Sequence, residues 1–132
     1  IFAAAVADWR VADTAGQKIK KGQGGLPEFK LTENPDILKT VAQAKSKRPR
    51  LVVGFAAETQ NVIENAKAKL VKKGCDLIVA NDVSADSGVM GGNRNKVHLV
   101  TASGVESWPE LDKTEVARRL MEDFARRIGA LS

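Results

Sequence analysis

A chain of 132 residues that is 43% hydrophobic and 28% charged is sized and composed for a globular fold with a buried core, which excludes a disordered tail. No apolar run approaches the roughly 20 residues needed to span a bilayer and no signal-peptide series opens the chain, so it reads as soluble and cytoplasmic, without a membrane role. A formal net charge of +5 raises nucleic acid as a partner, but the basic residues are spread over 18–21, 45–50, 67–73 and 118–127 with too few aromatics interleaved to stack bases.

The chain opens on Ile1 inside an apolar run, which reads as part of something longer. Residues 2–7 are continuously apolar, the pattern of a strand buried on both faces of a parallel sheet. That run ends at Asp8. Residues 16–27 are rich in glycine and lysine and have no period, so they read as an exposed flexible loop. Residues 28–32 alternate polar and apolar, as a half-buried strand does.

Asn34-Pro35-Asp36 predicts a helix start, with Asn34 as N-cap and Pro35 at the first helical position, where a missing N–H costs nothing. Ile37, Leu38, Val41 and Ala44 would form its apolar face. Residues 51–57 read as another buried strand. Thr59 or Asn61 opens a second helix with Val62, Ile63, Ala66 and Leu70 inward, and Gly74 is its stop.

The single cysteine, Cys75, has no internal partner and reads as a small packing residue at a helix-to-strand junction. Residues 76–80 repeat the strand pattern, 81–95 read as a glycine-rich surface loop and 96–100 alternate again. Residues 113–128 form an amphipathic helix with Val116, Leu120, Phe124 and Ile128 at four-residue steps.

Strands alternating with helices predict an α/β fold, a Rossmann-like three-layer domain over 1–132 with a mainly parallel sheet. Ligands of such sheets bind at the carboxyl ends of the strands. That rule places Asp8, Phe55 with Glu58, and Asn81 with Asp82 along one rim.

No P-loop and no dinucleotide fingerprint is present. The lone histidine, His98, lacks the companions of a zinc site or a nucleophilic triad. A strand ending in a carboxylate and followed by Lys18, Lys20 and Lys21 on a glycine-bearing loop suits a polyphosphate. Asp8 offers the oxygen ligand magnesium prefers, and the lysines are movable point charges. The same residues also fit a buried strand running into a solvated basic loop. Lys69 and Lys73 lie four apart and project from one helix face.

The ordered segments Ala3-Ala4-Ala5-Val6-Ala7-Asp8-Trp9, Lys18-Ile19-Lys20-Lys21, Asn34-Pro35-Asp36-Ile37, Val53-Gly54-Phe55-Ala56-Ala57-Glu58-Thr59 and Asp76-Leu77-Ile78-Val79-Ala80-Asn81-Asp82-Val83 resemble the phosphopantothenoylcysteine synthetase domain of the bacterial bifunctional coenzyme A biosynthesis flavoproteins. The resemblance covers nearly the whole chain. It implies a CTP-dependent ligase, with magnesium, that joins 4'-phosphopantothenate to cysteine through an acyl cytidylate.

Carried onto matching positions, it implies catalytic roles for Lys18 and Asp8, with Lys20 and Lys21 on a closing flap. It implies a nucleotide site of Ala3, Ala4, Asp8, Lys18, Asn34, Pro35, Asp36, Ile37, Leu38, Phe55, Lys69 and Lys73, with Asp8 toward the metal. It further implies a homodimer, a fused decarboxylase half elsewhere in the protein, and no FMN on this portion. In the family, a glycine- and serine-containing segment with a catalytic asparagine precedes these motifs. By that measure the chain reads as the carboxyl-terminal part of the ligase. A basic nucleic-acid-binding module and a dimerisation subdomain are the competing readings.

Overall fold

The computed structural model describes residues 1–3, 6–13, 29–84 and 92–129, in two compact units, Ala4–Asp36 and Ile1–Ala3 with Ile37–Ser132. The larger unit holds a mixed sheet. Strands β3 (Val53–Glu58), β4 (Leu77–Asp82), β6 (Val97–Thr101) and β7 (Gly104–Ser107) lie in the order β3-β4-β6-β7. β3 and β4 are parallel, connected through helix α2 (Val62–Lys73), whereas β4 pairs with β6 and β6 with β7 antiparallel.

The expected mainly parallel sheet is therefore corrected. Alternation and apolar runs report which faces are buried and say nothing of strand direction, and the connection from β6 to β7 is a short turn that allows only antiparallel pairing. The expected strand over 2–7 is also reduced. Among the described residues only Phe2 joins the sheet, bridging Gly54 in parallel, while Val6 and Ala7 are exposed.

Period-two alternation sorts the side chains into two cores. On one face Ala56, Ile78, Ala80 and Val100 pack with Ala42 of α1 (Ile37–Ala42) and with Ala66 and Leu70 of α2. On the other, Val53, Leu77, Val79, Val97 and Leu99 pack with Trp108 and with Val116, Leu120 and Phe124 of α3 (Lys113–Arg127). Leu77, Ile78, Val79 and Ala80 are wholly buried, as their unbroken apolar run requires of a central strand covered on both sides.

α2 ends as expected. Gly74 adopts a left-handed conformation (φ 73°) and its N–H donates to the Leu70 carbonyl, a geometry that a Cβ would oppose. At the other end Asn61 is left-handed and its side chain makes no cap bond. Ile128, the last expected apolar position of the carboxyl-terminal helix, lies just past the end of α3 and is exposed.

The 81–95 region begins as strand, since Asn81 and Asp82 complete β4, and it ends as strand β5 (Arg94–Asn95) paired with β8 (Leu111–Asp112). No helix among the described residues is long and apolar enough to cross a membrane.

The smaller unit is built on an antiparallel ribbon, β1 (Trp9–Val11) with β2 (Leu31–Glu33), in the register Trp9↔Glu33 and Val11↔Leu31. Its large apolar side chains are outside: Trp9, Phe29 and Leu31 are 55%, 57% and 59% exposed.

Candidate functional site

The carboxyl ends of β3 and β4 form a rim, as the strand-end rule requires. Glu58 stands opposite Asp82 and Ala57 opposite Asn81, with Glu58, Asn81 and Asp82 all half-buried. Glu58 Oε2 accepts a hydrogen bond from Asn65 Nδ2 at 3.1 Å, and the same amide nitrogen donates to the Gln60 carbonyl at 3.0 Å. Together these fix the turn that leads from β3 into α2.

Asp82 Oδ1 accepts the backbone N–H of Ser84 at 2.8 Å. That bond holds the carboxyl below the usual carboxylate range and closes a tight turn at the strand end. His98, across β4 from the rim, meets Ser107 Oγ through Nδ1 at 2.7 Å. Burial and the nearby Lys96 push its pKa down, and Asp82 partly opposes them.

Several of the expected site residues come together along β3. Phe2 donates to the Val53 carbonyl at 2.9 Å and accepts from the Phe55 N–H at 3.2 Å, which sets Ala3 beside this strand. Lys69 reaches from α2 to donate its Nζ to the Phe55 carbonyl at 2.7 Å. This ties two of the expected nucleotide residues and puts a positive charge at the middle of β3.

Leu38 lies over the same strand because Gly54 has no side chain. A Cβ there would stand 2.7 Å from Leu38 Cδ2 and 2.9 Å from Ile78 Cδ1. Lys73, one turn beyond Lys69, sits at the last residue of α2, where its carbonyl accepts from Gln43 Nε2 at 3.3 Å. Ile37 opens α1 half-exposed rather than inward.

In the smaller unit Asp8 is exposed just before β1. Asn34 is not a helix cap, because α1 begins three residues later at Ile37. Its Nδ2 instead donates to the Ala7 carbonyl at 2.6 Å and its backbone N–H to the Asp8 carbonyl at 2.8 Å. Pro35 and Asp36 follow it outside any helix, so Pro35 is not a first helical residue either. Ala4, Lys18, Lys20 and Lys21, and with them the glycine- and lysine-rich flap, lie outside the described residues.

A metal cage is not preformed among the described residues, where no group of three or more His, Cys, Asp or Glu converges. An exposed single carboxylate such as Asp8 fits magnesium, which usually takes one or two carboxylates and leaves its other positions to water and substrate phosphates.

Cys75 is buried between the helix end and β4, and burial pushes its thiol pKa up. This is the character of a packing residue rather than a nucleophile.

Sequence reading missed Arg48. Its Nε donates to the Ala42 carbonyl at 2.6 Å and its Nη2 to both oxygens of Asp76 at 3.1 Å, while Asp76 Oδ2 accepts the Val52 N–H at 2.7 Å. In sequence Arg48 is one of a run of cations, and nothing local marks it as the one that folds inward.

Residues 1–128 match the family model described as the DNA/pantothenate metabolism flavoprotein C-terminal domain. The chain is 44% identical over 127 residues to the coenzyme A biosynthesis bifunctional protein CoaBC of Haemophilus influenzae, covering 96% of this chain and 31% of that protein. It is 45% identical over 125 residues to the protein of the same name from Escherichia coli strain K12, covering 93% of this chain and 30% of that one.

A crystal structure of the C-terminal domain of a CoaBC protein superposes with a TM-score of 0.67 at 34% identity, covering 97% of this chain and 53% of that one. The chain thus spans about a third of the length of the curated relatives it matches. By the match along nearly all its residues, the chain belongs to the DNA/pantothenate metabolism flavoprotein C-terminal domain family.

Proposed function

We propose that this chain is the carboxyl-terminal part of a CTP-dependent phosphopantothenate–cysteine ligase of coenzyme A biosynthesis. The observation that carries the reading is the 44% identity over 127 residues to a bifunctional coenzyme A biosynthesis protein. The rim of β3 and β4 is consistent with it, as an open α/β strand end lined by Glu58, Asn81 and Asp82.

The chemical problem is that a carboxylate is a poor acyl donor to an amine, because its charge repels the nucleophile and oxide does not leave. In the proposed reaction a carboxylate oxygen of 4'-phosphopantothenate attacks the α-phosphorus of CTP. A new P–O bond forms, the bond to the bridging oxygen breaks, and pyrophosphate leaves. The amine of cysteine then attacks the acyl carbon, CMP departs with the C–O bond's electrons, and the amine loses a proton.

Both steps depend on positioning and on neutralising negative charge more than on a covalent nucleophile. Lys18 neutralises the activated phosphate, supported by Lys20 and Lys21. Asp8, Ala3 and Ala4, the segment Asn34, Pro35, Asp36, Ile37 and Leu38, and Phe55, Lys69 and Lys73 receive the nucleotide. Asp8 would hold magnesium, which when bound screens part of the triphosphate charge.

The remainder of the family's nucleotide segment, with its catalytic asparagine, belongs in this proposal to the rest of the ligase, and flavin chemistry to a fused decarboxylase half. The proposed protein works in the cytoplasm as a homodimer. The apolar face that Trp9, Phe29 and Leu31 expose on the β1–β2 ribbon supports pairing with a second copy.

Titration calorimetry of the complete ligase with CTP, ATP and GTP at fixed magnesium tests the reading. CTP is expected to bind and to yield pyrophosphate with 4'-phosphopantothenate, and Lys18→Ala to lose the acyl cytidylate step. Failure of CTP to bind the complete protein would sink the proposal.

A further inference from the structure

Asn34 holds both peptide groups that flank the α-carbon of Asp8. Its side-chain Nδ2 donates to the Ala7 carbonyl, the peptide before Asp8, at 2.6 Å, and its backbone N–H donates to the Asp8 carbonyl, the peptide after it, at 2.8 Å. A peptide group is planar and rigid, so fixing the planes on both sides of one α-carbon fixes its φ and ψ and with them the direction of the Cα–Cβ bond. The amide is itself oriented. Arg10 Nη1 donates to Asn34 Oδ1 at 3.3 Å and to the Glu33 carbonyl at 3.3 Å, which fixes which end of the amide faces Ala7.

The backbone bond from Asn34 to Asp8 extends the β1–β2 ladder by one step beyond the Trp9↔Glu33 pair, and the side-chain bonds brace that step. Among the described residues nothing hydrogen-bonds the Asp8 carboxylate, which is exposed. A carboxylate on a locked backbone with an unengaged head is preorganised to receive a cationic or metal-bound ligand, because little freedom is left to lose on binding.

We infer that Asn34 is a positioning residue that aims the Asp8 carboxylate, a role that replaces the direct nucleotide contact implied for it by the family resemblance, with Arg10 holding its amide in the working orientation. The inference rests on the ligase reading for what Asp8 receives, but not for how Asp8 is held. Asn34 is suited to the task because it alone of the common side chains of its length offers a donor and an acceptor at once. Aspartate keeps the acceptor and loses the donor, and alanine loses both.

The test uses the complete ligase and compares wild type with Asp8→Asn, Asn34→Ala, Asn34→Asp, Arg10→Ala and the double variant Asp8→Asn/Asn34→Ala. Titration calorimetry with magnesium and CTP should show Asn34→Ala and Asn34→Asp weakened about fivefold, the size of one lost hydrogen bond. Arg10→Ala should weaken by less, and the double variant should bind as Asp8→Asn does, because a positioning residue has nothing to add once its target is gone. Losses that multiply in the double variant would mean that Asn34 touches the nucleotide itself, and would overturn the inference.

A second readout needs no ligand. ¹⁵N relaxation of the Asp8 and Trp9 amides should show greater picosecond-to-nanosecond motion in Asn34→Ala than in wild type, and unchanged relaxation would equally overturn it. Absence of CTP binding by wild type would defeat the ligase reading alone, since the relaxation measurement still decides whether Asn34 holds Asp8.

Discussion

The two ends of the parallel pair β3–β4 are built on opposite plans. At the amino ends, Arg48, Asp76, the Val52 N–H and the Ala42 carbonyl satisfy one another, and Gln43 reaches the last carbonyls of α2. At the carboxyl ends, Glu58, Asn81 and Asp82 stand half-buried at the rim. The amino-end groups tie distant segments to one another, whereas Glu58 and Asp82 each engage one near neighbour in sequence, Asn65 and Ser84, and keep acceptor capacity to spare. The same two strands therefore carry an anchor at one end and a receptive edge at the other.

The largest effect that would sharpen this contrast is expected from Arg48→Ala. It removes the hydrogen bonds to Asp76 and to the carbonyl of the buried Ala42, so urea denaturation should report a loss of about 2 kcal/mol. A loss no bigger than that of an ordinary surface cation, under about 0.5 kcal/mol, would break the comparison. Midway along β3, Lys69→Met should weaken magnesium–CTP binding of the complete ligase about tenfold, or about 1.4 kcal/mol, with the urea midpoint nearly unchanged. An unfolding shift as large as that of Arg48→Ala would make Lys69 part of the anchor instead.

Between the ends, Gly54→Ala must displace the tips of Leu38 and Ile78 and should cost about 1 kcal/mol in the same denaturation series. No measurable cost would show that the two side chains have room to turn aside.

Two smaller effects depend on pH. His98, near the receptive edge, has its pKa depressed below 6.5, so the unfolded chain binds more protons than the folded one. Stability should be fully present above about pH 6.5 and fall as acid charges the half-buried ring. His98→Gln should flatten this slope in urea midpoints measured from pH 7.5 to 5.5. An unchanged slope would assign the titration elsewhere.

On α3, Glu115 is held down to about 2 from 4.5 by hydrogen bonds from Arg118 and Arg119. Its contribution is present above pH 4.5 and is lost as pH falls toward 2. Because the carboxylate is exposed, the effect should be small and should shrink in high salt. A pH profile at two salt concentrations, with Glu115→Gln, would detect it.

Much of this architecture was legible in the residues themselves. The apolar runs of β3 and β4, the glycine that stops α2, and Val116, Leu120 and Phe124 of α3 emerge from burial patterns, which hydrophobicity encodes directly. The direction of β6 and β7 does not, since an antiparallel strand alternates like any other. The Asn34-Pro35-Asp36 segment illustrates a subtler failure. An asparagine before a proline and an aspartate has the composition of a helix cap, yet its side chain finds the Ala7 carbonyl, 27 residues earlier and just before β1, and no local pattern announces a partner at that distance.

Lys69 was readable as a candidate by its helical spacing, though not its bond to Phe55. The rim residues Glu58, Asn81 and Asp82 were readable because strand ends are where apolar runs turn polar. Lys18 and Ala4 lie outside the described residues.

The turn between β6 and β7 has a consequence for how the chain acquires its shape. Thr101 and Gly104 are paired across it, and the Thr101 hydroxyl bonds to Ser103 Oγ at 2.9 Å and to the Gly104 carbonyl at 3.3 Å. Such a short-range closure takes microseconds, whereas aligning β3 with β4 must wait for the whole α2 crossover to form and dock. The hairpin should therefore be structured early and mutations in it should slow refolding, while substitutions in β3 should chiefly speed unfolding. The receptive edge, made by a slower pairing than the hairpin's, then comes into being after it.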